Sequence, residues 1–184
     1  GIDELRLVPA RSLDVVDPPR VDVVVAEVLG NFAYEEDVLE TLRDAQRFLV
    51  PGGTLIPRSI VQWAAPVTSE RFEQDLASWR RVGHGLDFSD AEHLSRNNMY
   101  VYAIEPRDLL AAPPASWDSL DFTGDIDSRR GGTVAWHLAT PAPIYGFALY
   151  QQGRCHFNLT DYARAMDLFK ATVLYGEFAG ASAL

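Results

Sequence analysis

The chain has 184 residues, and 47% hydrophobic with 23% charged residues is the composition of a globular protein, not of a disordered one. Its single cysteine, Cys155, excludes an internal disulfide and a multi-cysteine zinc site, so we expect no metal. The net charge of −10 argues against nucleic-acid binding. Because no apolar run is long enough to cross a bilayer and no signal-peptide pattern is present, we expect no membrane contact and a cytoplasmic location.

The first third of the chain predicts alternating strands and helices. Residues 21–26 (VDVVVA) are rich in β-branched side chains, which predicts a strand buried on both faces of a parallel sheet. A loop follows over 27–36, and apolar residues at steps of three and four predict a helix over 37–49. Pro51 and two glycines stop that helix, and extended structure resumes at 54–56. This order predicts half of a doubly wound α/β sheet ending near Pro57.

The middle of the chain predicts mostly strands. The predicted elements are a helix over 69–82 and strands over 60–67, 98–104, 119–126, 132–139 and 145–150. Short segments separated by proline and glycine favour an antiparallel sheet or a partial barrel.

The tail, residues 151–184, predicts helices. Tyr162, Ala165, Phe169 and Val173 share one face of a helix expected over 161–174. Leu149, Gly153, Asp161-Tyr162, Ala165 and Phe169 fall where a tetratricopeptide repeat places its large, small, turn and packing residues, so the tail resembles one such repeat. A plain terminal helix pair that packs on the sheet is the alternative.

Two carboxylates flank the loop after the first strand. Glu27 leaves the carboxyl end of that strand, where open α/β sheets bind ligands, and Glu36 follows nine positions later at a helix start. Gly30 permits a turn that would bring the two acids face to face, and a guanidinium matches such a pair. Alternatively, Glu27 ends a surface loop, while Glu35 and Glu36 are favourable charges at a helix N-terminus.

Residues 22–36 (DVVVAEVLGNFAYEE) resemble the double-glutamate loop of protein arginine N-methyltransferases, and 48–57, 82–88 and 145–150 are similar to later segments of that family. The resemblance implies that Glu27 and Glu36 are catalytic and bind the substrate guanidinium, with Glu35 as the fallback for the second acid. Phe32 either lines the substrate pocket or packs in the core. S-adenosyl-L-methionine is the implied cofactor, an arginine-containing protein or peptide the implied substrate, and a homodimer the implied assembly.

The resemblance also implies the architecture. We expect an α/β fold with part of a Rossmann-like methyltransferase sheet over 1–57, an antiparallel β-barrel-like substrate-binding region over 58–150, and a C-terminal helix pair over 151–184. Since no GxGxxG-like run occurs in the 184 residues, no cofactor-binding residue is assigned and we expect an incomplete enzyme. The alternative is a non-catalytic interaction module that keeps the barrel surface and docks partners through the tail. A further motif, Arg129-Arg130-Gly131-Gly132, is either a basic turn or a self-methylation site.

Overall fold

The computed structural model describes residues 5–29, 32, 34, 36–154 and 171–174. The chain divides into two compact units. The first unit consists of Gly1–Ile60, Leu120–Arg129 and Gly153–Asn158, and the second of Val61–Ser119, Arg130–Gln152 and Leu159–Leu184. Among the described helices, none has both the length and the apolar character that a membrane crossing requires.

The described part of the chain contains seven strands and three α-helices. In order they are β1 (Val21–Val25), α1 (Val38–Ala45), β2 (Leu49–Ile56), β3 (Ser59–Val67), α2 (Glu70–Leu76), α3 (Ser89–Arg96), β4 (Met99–Tyr102), β5 (Ala115–Asp121), β6 (Gly146–Arg154) and β7 (Ala171–Leu174). Short 3-10 helices occur at Ser12–Asp14, Gln46–Phe48, Ala77–Arg81 and Pro106–Asp108.

The first unit contains a parallel pair of strands joined through α1. β1 and β2 pair in parallel, with Val24 opposite Leu55 and Val25 opposite Ile56. The strand, helix and parallel strand predicted from the sequence are therefore confirmed. Burial of β1 on both faces is wrong, because the side chains of Val23 and Val25 are 43% and 70% exposed. Among the described strands, only β2 pairs with β1.

The core of the first unit forms where α1 turns its apolar face inward. Val38 and Leu42 are fully buried, and Ala45 is 5% exposed, as the spacing of three and four residues predicts. The residues that share this core are Val38, Leu42, Ala45, Leu55, Ile60, Leu120, Phe122 and Ile126. Because Leu120, Phe122 and Ile126 come from a distant part of the sequence, they fix α1 from outside the strand–helix–strand segment.

The remaining strands form one sheet in the order β4-β7-β6-β3-β5. β7 is antiparallel to both of its neighbours, β4 and β6. In the second unit, Phe72 and Leu76 of α2 pack with Val67 and Ala148 in a small core. The described strands form this open sheet and do not close into the expected barrel.

Two strands expected in the later part of the chain differ from the structure. Residues 132–139 form no strand: a Cβ on Gly132 would collide with the Trp117 carbonyl oxygen, so this backbone passes too close for regular pairing. The strand expected over 119–126 ends at Asp121, whose carboxylate accepts hydrogen bonds from the backbone and hydroxyl of Thr123 at 2.8 and 2.6 Å. The sequence pattern also missed α3.

The prediction of a helical tail is wrong in both segments of the tail that the structure describes. Residues 151–154 belong to β6, and Ala171–Leu174, expected to end a helix, form β7. The physical reason is that this segment, which contains the β-branched Thr172 and Val173, pairs with a strand on each side. The resemblance to a tetratricopeptide repeat otherwise falls on residues 155–170, outside the described part of the chain.

Candidate functional site

The two predicted acids lie at opposite ends of the loop between β1 and α1. The backbone N–H of Ala26 donates to the Ile56 carbonyl at 2.8 Å, so Glu27 immediately follows the last residue held to β2. Glu36 lies two residues before α1 begins, and both glutamates are exposed to solvent. Glu35 lies outside the described residues, so its role and the facing of the two carboxylates stay predictions.

Hydrophobic contacts hold the described parts of this loop to the first unit. Val28, Leu29 and Tyr34 pack against its core. The Phe32 ring meets the Tyr34 ring edge-on, with centroids 5.8 Å apart and an interplanar angle of 82°. Phe32 therefore touches a side chain that is itself anchored in the core. Its contact with a substrate stays a prediction.

The start of α1 has an uncommon backbone conformation. Asp37, directly after Glu36, has a φ of 52° and makes no side-chain capping hydrogen bond to the helix. Aspartate tolerates this left-handed conformation better than most residues, because its short polar side chain adapts to it. The chain therefore turns sharply between Glu36 and the helix, so the backbone at Glu36 does not continue along the axis of α1.

One polar side chain on the last turn of α1 and one directly after that helix bind it to the segment after β5. Arg43 donates to the Ile126 carbonyl, and Gln46 donates to the carbonyls of Phe122 and Gly124 at 2.7 and 3.0 Å. These contacts join residues about 80 positions apart in the sequence. They add directional contacts to the apolar packing of α1, the helix that begins beside Glu36.

A cleft of about 320 Å³ opens beside the start of α1, within the first unit. Its lining residues are Tyr34, Asp37, Val38, Leu39, Glu40, Arg43 and Ser128. Its charged lining consists of the carboxylates of Asp37 and Glu40 and the guanidinium of Arg43. The sequence did not reveal it, because Ser128 reaches the cleft from a remote segment.

A second cleft, of about 370 Å³, lies in the second unit between the Ala77–Arg81 turn and α3. Its lining residues are Trp79, Arg80, Gly83, Gly85, Leu86, Asp87, Phe88, Ser89 and Glu92. Gly83, His84 and Gly85 have φ values of 74°, 63° and 68°, so three successive residues adopt the left-handed conformation. Two of the three are glycines, which accept it without steric cost.

A charge network connects α2 to α3 beside this second cleft. Arg96 donates to the Glu73 carboxylate at 2.6 and 2.7 Å and to Glu92 at 2.7 Å. The hydrogen bond from Arg96 lowers the pKa of Glu73, and that bond raises the pKa of Arg96 in turn. Hydrogen bonds from Arg80 and Arg96 lower the pKa of Glu92. These acids are thus already paired within the protein.

A buried carboxylate stabilises the turn that precedes β5. The Asp108 side chain is 2% exposed and accepts hydrogen bonds from Arg71 Nε at 3.0 Å and Nη2 at 2.5 Å. It also accepts the backbone N–H of Glu105 at 2.9 Å. Burial by itself raises the pKa of Asp108, but the hydrogen bonds from Arg71 and Glu105 outweigh it and hold the pKa below its ordinary value.

The described residues do not assemble a metal or cofactor site. No three of their His, Cys, Asp and Glu side chains come together as metal ligands would. At the carboxyl end of β1, where open α/β sheets bind ligands, Val25 is 70% exposed and Glu27 also faces solvent. Neither described cleft is lined by residues from that strand end. Binding of S-adenosyl-L-methionine by this chain therefore stays a prediction.

Comparison with known proteins gives sequence relatives that include arginine methyltransferases, although no family model matches the chain. Protein arginine N-methyltransferase 5 of Oryza sativa subsp. indica is 36% identical over 67 residues, 36% of this chain and 10% of that protein. Probable protein arginine N-methyltransferase 6.1 of Oryza sativa subsp. japonica is 26% identical over 156 residues, 80% of this chain and 40% of that protein. The chain thus spans less than half the length of these relatives.

Solved structures show the same fold. A Trypanosoma brucei PRMT1 enzyme–prozyme heterotetrameric complex with AdoHcy matches over 90% of this chain and 55% of its own, with a TM-score of 0.67 and 17% identity. Protein arginine methyltransferase 10 of Arabidopsis thaliana, in an open conformation, matches over 94% and 60%, with a TM-score of 0.65 and 17% identity. The chain therefore has an α/β fold that matches these methyltransferase structures.

Proposed function

We propose that this chain is the guanidinium-binding part of a protein arginine N-methyltransferase that uses S-adenosyl-L-methionine. The observation that carries the proposal is the placement of the two acids. Glu27 follows the carboxyl end of β1, and Glu36 precedes α1. The similarity to arginine methyltransferases in sequence and fold supports the same assignment.

The chemistry of the acid pair suits a guanidinium substrate. A guanidinium carries its hydrogen-bond donors in a planar fork, and two carboxylates hold that fork by charge-assisted hydrogen bonds. Glu27 and Glu36 would draw the positive charge toward themselves and orient the remaining nitrogen. One of them would accept the proton that the nitrogen loses. Phe32, in contact with Tyr34, would form a wall of the pocket.

The methyl group in this family comes from S-adenosyl-L-methionine, which supplies an electrophilic methyl sulfonium. No residue of this chain is assigned to that molecule, so the residue roles proposed here concern the guanidinium alone. Its substrate would be an arginine in a protein or peptide, which also suits the net charge of −10. The heterotetramer of the Trypanosoma brucei protein makes self-association or pairing with a related chain a consistent assembly.

Three glutamine variants test the acid pair. Glu27→Gln and Glu36→Gln each keep the size of the side chain and remove its charge. We expect each to lower the affinity for an arginine peptide, and the rate of methyl transfer to that peptide by any reconstituted, cofactor-competent form, by roughly 30- to several-thousand-fold, because losing one charged partner of a desolvated guanidinium costs about 2–5 kcal/mol. Glu35→Gln, adjacent in sequence, is the matched control and should change both values less than about threefold.

Peptide binding is measured by calorimetry with an arginine peptide and with the same peptide carrying lysine. Methyl transfer is measured with labelled S-adenosyl-L-methionine, and cofactor binding by titration with S-adenosylhomocysteine. Equal peptide affinity in wild type and all three variants would refute the proposal that the two acids bind the guanidinium. The chain could bind the arginine peptide, lose that binding in Glu27→Gln, and show no heat of binding with S-adenosylhomocysteine. This combination would favour the non-catalytic interaction module.

A further inference from the structure

Nearly every arginine side chain that the structure describes is held by a hydrogen bond or an ion pair. The held arginines are Arg11, Arg20, Arg43, Arg47, Arg58, Arg71, Arg80, Arg81, Arg96, Arg107 and Arg130. Within the described part of the chain, Arg6 and Arg129 have exposed side chains that make no such contact. These two guanidinium groups are therefore available to react.

Arg129 and Arg130 are adjacent in sequence, but their side chains differ in exposure and in hydrogen bonding. The Arg130 side chain is 18% exposed and forms a two-point pair with the Asp118 carboxylate, with Nε to Oδ2 at 2.9 Å. It also donates to the Ser119 carbonyl at 3.0 Å. Arg129 is held only by its backbone, whose N–H donates to Asp127 Oδ1 at 2.8 Å, while its side chain is exposed. The turn thus fixes the Arg129 main chain and leaves its guanidinium in solvent.

Gly131, the residue after this pair, lies in open space. A Cβ placed on Gly131 would meet no atom within 4 Å, whereas Gly132 packs closely against the Trp117 backbone. Arg6, in contrast, lies between Leu5 and Leu7, which are 76% and 82% exposed. An enzyme that encloses one guanidinium in a narrow acidic pocket has easier access to Arg129, because no bulky apolar side chain is adjacent to it in the sequence, whereas two flank Arg6.

We propose that Arg129 is a methyl-acceptor site of this chain. The inference rests on the proposed function for the claim that the reaction is arginine methylation, but the acceptor can be tested with another enzyme. In the transfer a guanidinium nitrogen of Arg129 loses a proton to a carboxylate or water of the enzyme, and its lone pair attacks the sulfonium methyl. The new N–C bond forms as the C–S bond breaks, and the sulfur keeps the bonding pair as a neutral thioether. Arg129 remains a cation, now methylated.

The test uses the purified chain with S-adenosyl-L-methionine labelled in its methyl group, alone and with an added arginine methyltransferase of demonstrated activity. Peptide mapping by mass spectrometry locates the label, and a free arginine peptide in each reaction containing the added enzyme confirms turnover. With that enzyme we expect at least tenfold more label at Arg129 than at Arg130. Arg129→Lys should remove that label, whereas Arg6→Lys and Arg130→Lys should retain it.

The outcomes separate the acceptor from the enzyme. Label at Arg129 in both reactions supports the acceptor and the proposed function together. Label at Arg129 with the added enzyme alone supports the acceptor and counts against methyl transfer by this chain. A labelled control peptide with Arg129 unlabelled, or more label at Arg6 or Arg130 than at Arg129, overturns the proposal.

Discussion

Replacing Asp108 with asparagine tests the buried ion pair of the second unit most directly. The carboxylate accepts two hydrogen bonds from Arg71 and one from the Glu105 backbone while only 2% exposed. Hydrogen bonds to charged groups contribute about 1.5–3 kcal/mol each, but the Arg71 side chain is 47% exposed, so solvent weakens its share. An asparagine keeps one acceptor oxygen and turns an NH₂ group toward a cation. We therefore expect a loss of about 2–3 kcal/mol in the free energy of unfolding near neutral pH.

The pH dependence of this loss follows from the pKa of Asp108. Its pKa is lowered in the folded protein, so the ionised form stabilises the fold above the unfolded value of about 3.9. That stability is lost as the pH falls through the lower folded value. The gap between wild type and Asp108→Asn should stay constant from about pH 5 to 7 and shrink below about pH 4.

Urea unfolding followed by tryptophan fluorescence measures the gap at each pH. Arg107→Ala is the matched control, because Arg107 pairs with Glu105 in the same turn while 77% exposed, and its removal should change the unfolding free energy by under about 0.5 kcal/mol. An Asp108→Asn loss as small as the control, or a gap of undiminished size at pH 3, would refute the stabilising pair.

Two further substitutions test polar groups in the fold. Gln46→Ala should cost about 1 kcal/mol in urea unfolding, because the carbonyls of Phe122 and Gly124 lose their shared donor, while exposed Gln74→Ala should cost nothing measurable. An equal effect of the two alanines would contradict the fastening of α1. Gln62 is fully buried, and neither atom of its amide has a hydrogen-bond partner among the described residues, so Gln62→Leu should leave stability unchanged or raise it by about 1–2 kcal/mol. A loss above about 1 kcal/mol would contradict this.

The first unit was predictable because its signals are local. β-branched residues in an unbroken run predict β1, and apolar positions three and four apart predict the buried face of α1. The ends of these elements place Glu27 and Glu36, so the position of each acid follows from the sequence. Their mutual geometry does not, because it depends on a loop whose central residues, including Gly30, have no periodic pattern.

The second half was predicted less well because distant residues decide it. Nothing near Asp108 in the sequence indicates a partner at Arg71, which lies 37 positions away. The close approach of Gly132 to Trp117 prevents a strand that its apolar neighbours favour. The sequence of Ala171–Leu174 continues a helical spacing but also contains two adjacent β-branched residues. Pairing with the strands on either side favours the strand over the helix.

The position of β7 determines the order in which the sheet can form during synthesis. β4 has β7 as its one strand neighbour, so β4 has no partner until about 70 more residues have been translated. β6 already has β3 beside it, but its other edge also stays open until Leu174 has emerged. Closing so long a loop is entropically costly and slow, and open strand edges invite pairing between chains. Within the described sheet, β4 therefore cannot pair before β7 has been made, so these two strands complete the sheet.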